Sequence, residues 1–148
     1  MSTGYLDANV LLRFLTGDDL AMQARARALL ERVQRGEVAL TVPESAIADV
    51  VFVLASPRLY HLPRARIQAI LAPLLQLPNL RVDNRAQLLA ALDHYVRFAG
   101  LNFGDCLIVA HMEHAGEPNL YTFDQGFDRV PGLNRHEPPP PPERPAAE

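Results

Sequence analysis

The sequence predicts an α/β sandwich built on a central, mainly parallel sheet. Two observations carry this expectation. Short apolar runs alternate with longer segments of helical character, the pattern of strands connected by crossover helices. The chain has 148 residues, 49% of them hydrophobic, which suits one domain with a sizeable core and would be cramped as two. No internal repeat is present.

Each element follows in order. Gly4 to Leu6 is the visible end of a first strand, followed by a helix from Ala8 to Leu15 and a break at Gly17. Asp18 or Asp19 can cap a second helix, rich in Ala, Leu and Arg, that Gly36 ends. Val38 to Val42 is the second strand. Pro43 then stands where a first helical turn tolerates proline, and the helix runs from Ser45 to Ala55. Pro63 opens another helix that Pro73 kinks or ends. Leu80 to Val82 is a short third strand, and Arg85 to Ala99 a helix stopped by Gly100. A helix from Phe103 to about Ala115 follows, then a strand from Asn119 to Phe123, a turn through Phe127 and a last strand near Leu133. The domain therefore occupies residues 1–136. Residues 137–148, dominated by proline and glutamate, cannot bury a core and form a disordered or polyproline-II tail.

Composition removes several function classes. Every one of the 14 basic residues is arginine, so a Walker A phosphate loop, a pyridoxal Schiff base and any lysine nucleophile are excluded. The net charge of −3 argues against a protein that coats duplexes by neutralising many phosphates. It is compatible with an acidic metal pocket rimmed by arginine. A single cysteine, Cys106, rules out an internal disulfide and a cysteine zinc cluster, and it fits a reducing cytoplasm as a small buried residue. No apolar run approaches the roughly 20 residues of a membrane span. The N-terminus lacks the basic start and cleavage pattern of a secretory signal. The expectation is a soluble cytoplasmic protein.

Four aspartates stand among apolar neighbours, where an unpaired charge is costly. Asp7 follows Gly-Tyr-Leu, Asp49 interrupts Ala46–Leu54, Asp105 opens Cys106–Ala110, and Asp124 closes Leu120–Phe123. Asp7 and Asp124 fall at carboxyl ends of expected strands, where open α/β sheets place ligand sites. Asp49 and Asp105 fall on helices that such a sheet can bring to the same edge. Each has a plainer explanation: Asp7 and Asp105 as helix caps, Asp124 as a turn residue, Asp49 as the partner of an arginine. If they converge, two carboxylates 5 Å apart repel by about 3 kcal/mol at an effective dielectric near 20. A divalent cation offsets that repulsion, and all-oxygen ligation selects Mg²⁺, Mn²⁺ or Ca²⁺ over zinc. Metal-assisted phosphodiester hydrolysis is the chemistry such a cluster suits.

Leu6-Asp7-Ala8-Asn9-Val10-Leu11-Leu12-Arg13, with Thr16-Gly17-Asp18-Asp19 after it, resembles the opening of PIN-domain proteins of the VapC toxin type. The likeness continues through Val42-Pro43 to Leu54, Leu101 to Ala110, and Tyr121-Thr122-Phe123-Asp124-Gln125-Gly126-Phe127, in order, across roughly residues 4 to 135. The resemblance implies a three-layer α/β/α domain and a Mg²⁺- or Mn²⁺-dependent endoribonuclease restrained by an antitoxin, with a homodimer as the expected assembly. It assigns metal binding and catalysis to Asp7, Asp105, Asp124 and the helical Asp49. Asn9 would sit beside the pocket as a hydrogen-bonding neighbour, and Thr122 would orient Asp124 or a metal-bound water. Arg13 would contact an RNA phosphate or an antitoxin carboxylate. Two positions depart from the family: Asp49 stands where glutamate is usual, shortening the reach by roughly 1.5 Å, and Ala8 replaces a common threonine.

Rival readings stay open. Glu44 also follows a strand and competes with Asp49, though register and apolar setting favour Asp49. Asp128 is a weaker candidate ligand. His111 and His114, with no third histidine or zinc-binding cysteine nearby in sequence, are poor signs of zinc. The departures at Asp49 and Ala8 motivate an inactive RNA- or antitoxin-binding module of the same fold. A phosphotransferase with Asp7 as nucleophile is disfavoured by the missing lysine.

Overall fold

The computed structural model describes residues 2–144; Met1 and residues 145–148, the end of the expected tail, lie outside the described residues. The order is β1 (Ser2–Tyr5), α1 (Ala8–Leu15), α2 (Leu20–Gln34), β2 (Val38–Val42), α3 (Glu44–Ala55), α4 (Arg64–Leu75), β3 (Arg81–Val82), α5 (Arg85–Arg97), α6 (Phe103–Ala115), β4 (Asn119–Tyr121), a 3-10 turn (Gln125–Arg129) and β5 (Asn134–His136).

Local chemistry explains most boundaries. The Asp7 carboxylate accepts the Ala8 N–H at the start of α1. Of the two candidate caps for α2, Asp19 does the work, accepting the Met22 N–H at 2.9 Å. That helix closes at Arg35, after which Gly36 adopts φ +76°, a left-handed conformation that suits a residue without Cβ. Pro43 and Pro63 precede α3 and α4 and offer no side-chain cap. Pro73 falls in the last turn of α4, which ends two residues later. Helix α5 stops at Arg97 rather than Ala99, because Arg64 draws the Tyr95 and Phe98 carbonyls to its guanidinium, at 2.9 and 3.1 Å. Strand β4 ends at Tyr121 rather than Phe123: the Thr122 hydroxyl accepts the Asp124 N–H at 3.0 Å and turns the chain.

The five strands among the described residues pair in parallel, as expected, but not in one sheet. Strand β2 lies between β1 and β3, with Tyr5 opposite Thr41 and Val42 opposite Val82. Strands β4 and β5 form a separate pair. Almost all of β2 is buried, whereas β1 is largely exposed. The core gathers on the helices and β2, with Leu11, Ile47, Val50, Ile67, Leu71, Leu88 and Leu92 fully buried. Helix α3 packs against α1, α4 and α6, and α5 against α4 and α6. Residues 137–144 are exposed and without regular structure.

Candidate functional site

The carboxyl edge of the β1–β2–β3 sheet is rich in acids. Leu6 N–H bonds to the Thr41 carbonyl and Asp83 N–H to that of Val42. Continuing the strand registers puts Asp7 level with Pro43 and Asp83. Glu44 opens α3 at this edge, half-buried, and is bridged on both sides: His111 Nε2 lies 2.6 Å from Oε1, and Asn84 donates to Oε2 at 3.4 Å. The sequence reading gave Asp83 no role. Its signal was nonetheless present, since Leu80-Arg-Val-Asp ends a strand as Gly-Tyr-Leu-Asp does.

Asp105 and Asp124 sit around a different segment, residues 98–102. Asp105 belongs to a capping box: its Oδ2 accepts the Asn102 N–H at 3.1 Å while Asn102 Oδ1 accepts the Asp105 N–H at 2.8 Å. Asp124 accepts the Gly126 N–H at 2.8 Å. Gly126 in turn lies against that segment, since a Cβ there would stand 3.4 Å from the Gly100 carbonyl oxygen and 3.0 Å from Asp124 Oδ1. Arg64 fastens the segment, its Nη1 donating to the carbonyls of Tyr95, Phe98 and Leu101, the last at 2.6 Å.

Burial corrects part of the reasoning that selected these acids. Asp7, Asp49 and Asp124 are exposed and Asp105 is only half-buried. The apolar neighbours of Asp49, Val50 and Val51, turn inward while Asp49 occupies the outer face of α3. The cost of burying a charge therefore does not single it out. No arginine pairs with it among the described residues.

The donor chemistry fits a hard divalent cation, because every candidate ligand is a carboxylate and histidine and thiolate are absent from the set. Among the described residues, no three His, Cys, Asp or Glu side chains gather closely enough to hold a metal ion. Asp7 stands at the sheet edge and Asp105 and Asp124 around the 98–102 segment.

Asn9 is exposed, two residues beyond Asp7, and Thr122 engages the Asp124 backbone rather than its carboxylate. Arg13 lines a groove of about 700 Å³ between α1 and α2, together with Val10, Met22, Arg25 and Leu29. Asp128 is committed to Arg135 at 2.8 Å. His114 is exposed, and His111 serves the Glu44 bridge. Cys106 is fully buried and free, and burial pushes its thiol up to about 11. No helix among the described residues is long and apolar enough to cross a membrane.

Comparison with curated proteins gave no match. Among solved structures, the chain is similar to a chain of the crystal structure of VapBC2 from Rickettsia felis bound to a DNA fragment from their promoter. The identity is 16% and the TM-score 0.34, covering 91% of this chain and 98% of that one. The sequence matches the PIN domain over residues 4–133, nearly its whole length. The chain belongs to the PIN-domain family.

Proposed function

We propose that this protein is a metal-dependent endoribonuclease, the toxin of a toxin–antitoxin pair, that hydrolyses RNA phosphodiesters with Mg²⁺ or Mn²⁺. PIN domains are in general metal-dependent nucleases, and the match over residues 4–133 is the observation that carries the reading. Asp7, Asp105, Asp124 and Asp49 would hold the cation. When bound, it would supply a readied water and offset the charge developing on the phosphate. The carboxylates would hold that water and orient it, with Asn9 and Thr122 hydrogen-bonding around them. A cytoplasmic homodimer and an antitoxin partner belong to the same proposal, supported by the VapC-like motifs. The α1–α2 groove suits an antitoxin segment with apolar and acidic side chains, since it combines Val10, Met22 and Leu29 with Arg13 and Arg25.

The family departures at Asp49 and Ala8 motivate a second reading, an RNA- or antitoxin-binding module without turnover. Incubating purified protein with mixed cellular RNA in Mg²⁺ or Mn²⁺, beside chelator and Asp105→Asn controls, separates the two. Defined cuts that need both metal and Asp105 are expected. Intact RNA, from folded protein free of antitoxin, would leave the binding module.

A further inference from the structure

A cleft of about 520 Å³ opens between α3 and the first turn of α6, within the range of small-ligand sites. Phe52, Arg64, Tyr95, Asn102 and Phe103 line it. Phe52 is the unusual member: it projects from α3 with 76% of its surface exposed. Arg64 is half-buried and has no carboxylate partner among the described residues. Its carbon Cζ lies 4.1 Å from the Tyr95 ring centroid. Among the described residues its three hydrogen bonds all leave from Nη1, and Nε and Nη2 have no protein acceptor. Among the described residues Asn102 likewise uses only its side-chain carbonyl oxygen, leaving its amide N–H groups unused.

An open aromatic face, a guanidinium edge with two nitrogens to spare and a free amide match the chemistry of a nucleobase with its phosphate. The ring stacks whatever the base, arginine donates in a planar fork, and an amide meets the base edge. The cleft also adjoins the candidate site, since Asn102 on its rim is reciprocally bonded to Asp105 and Ala48 on its wall precedes Asp49. We propose that this cleft is a subsite for one unstacked base of single-stranded RNA, held on Phe52 beside Arg64 and Asn102. The inference rests on the ribonuclease reading and extends it to residues outside the acidic set. An apolar protein surface would cover Phe52 but would leave the Arg64 and Asn102 donors unanswered, at a cost.

The test uses the full chain in chelator, with fluorescein-labelled hexauridylate and hexaadenylate as probes and anisotropy as the measurement. Phe52→Ser should weaken binding about tenfold, the loss of one stacked base, and Phe52→Tyr should restore it. An oligomer carrying an abasic ribose at each position in turn should lose the same factor on the wild type at one position, and nothing further on Phe52→Ser. Wild-type affinity in Phe52→Ser, with metal-dependent cleavage intact, overturns the subsite and spares the nuclease. Failure of the wild type both to bind and to cleave RNA overturns both. A change of mass in Phe52→Ser by light scattering, without a change in RNA affinity, identifies the cleft as a protein interface and overturns the subsite.

Discussion

Asp7, Asp105 and Asp124 each give one carboxylate oxygen to a nearby backbone N–H, and asparagine offers an equivalent oxygen. The Asn variants therefore keep the caps and remove only charge. Each should melt within about 2 °C of wild type while RNA cleavage falls roughly 100-fold or more. Equal losses of stability and activity would assign these acids a structural role alone. Asp49 caps nothing and is exposed, so Asp49→Ala should change stability by no more than about 0.5 kcal/mol. Cys106 makes a different prediction. Its thiol is pushed up to about 11 by burial, above its ordinary value of 9.0, so the folded state holds the proton where the unfolded chain releases it. The resulting stability is complete below pH 9 and is lost as pH rises toward 11, on the order of 2 kcal/mol in all. Urea unfolding across that window should show the fall, and Cys106→Ala should flatten it. The native thiol should also resist alkylation at neutral pH.

At the scale of elements, the 98–102 segment depends on one side chain. Arg64 answers three carbonyls that follow or close α5, so Arg64→Ala should cost about 2–3 kcal/mol, with Arg64→Lys recovering part. Denaturant midpoints measure both, and an unchanged midpoint in Arg64→Ala would mean the segment holds itself. Gly126→Ala should displace the Asp124 carboxylate, because its Cβ would stand 3.0 Å from Oδ1, lowering cleavage more than stability. Arg64 was not legible in the sequence as part of a site and Gly126 entered only as one letter of a matched motif, for both act on backbone or a close approach that no side-chain pattern encodes. What was legible were elements whose signal is local. Strand β2 and helices α1 and α6 follow from caps, prolines and apolar runs read within a few residues. The end of α5 was misplaced because an arginine distant in sequence terminates it, whereas β4 ends at a local turn, the Thr122 hydroxyl taking the Asp124 N–H, inside a run whose apolar alternation reads on as strand. The same limit applies to the acids. Their places at strand ends and helix starts are local facts, whereas their convergence depends on how the β4–β5 pair and α6 stand against β1. Asp49 looked buried for a related reason, since apolar residues on both sides cannot say which face of α3 the acid itself takes.

At the scale of the molecule, the strands among the described residues leave four edges without partners, on β1 and β3 of one sheet and on β4 and β5 of the other. Parallel sheets are ordinarily covered on both faces, and free edges present unpaired N–H and C=O groups. Here the strands at two of those edges also expose large rings: Tyr5 on β1 is 75% exposed, Tyr121 on β4 69%, and Phe123 just beyond it 70%. Exposed apolar residues scattered singly are ordinary, but aromatic rings beside unpaired backbone are the elements of a pairing surface. The arrangement predicts self-association, by addition of one chain's strand to another's free edge. Light scattering over a rising concentration series should show a mass that climbs above the 16.4 kDa of one chain. Tyr5→Lys and Tyr121→Lys put a charge on the two edges that carry exposed rings, β1 and β4, and should return the protein to monomer, with unfolding midpoints nearly unchanged because both side chains are already largely in solvent. If the mass stays that of one chain at every concentration, the edges are not used between copies. If the lysine variants associate as the wild type does, the contact lies elsewhere, and the half-exposed faces of α1 and α2 become the surface to mutate next.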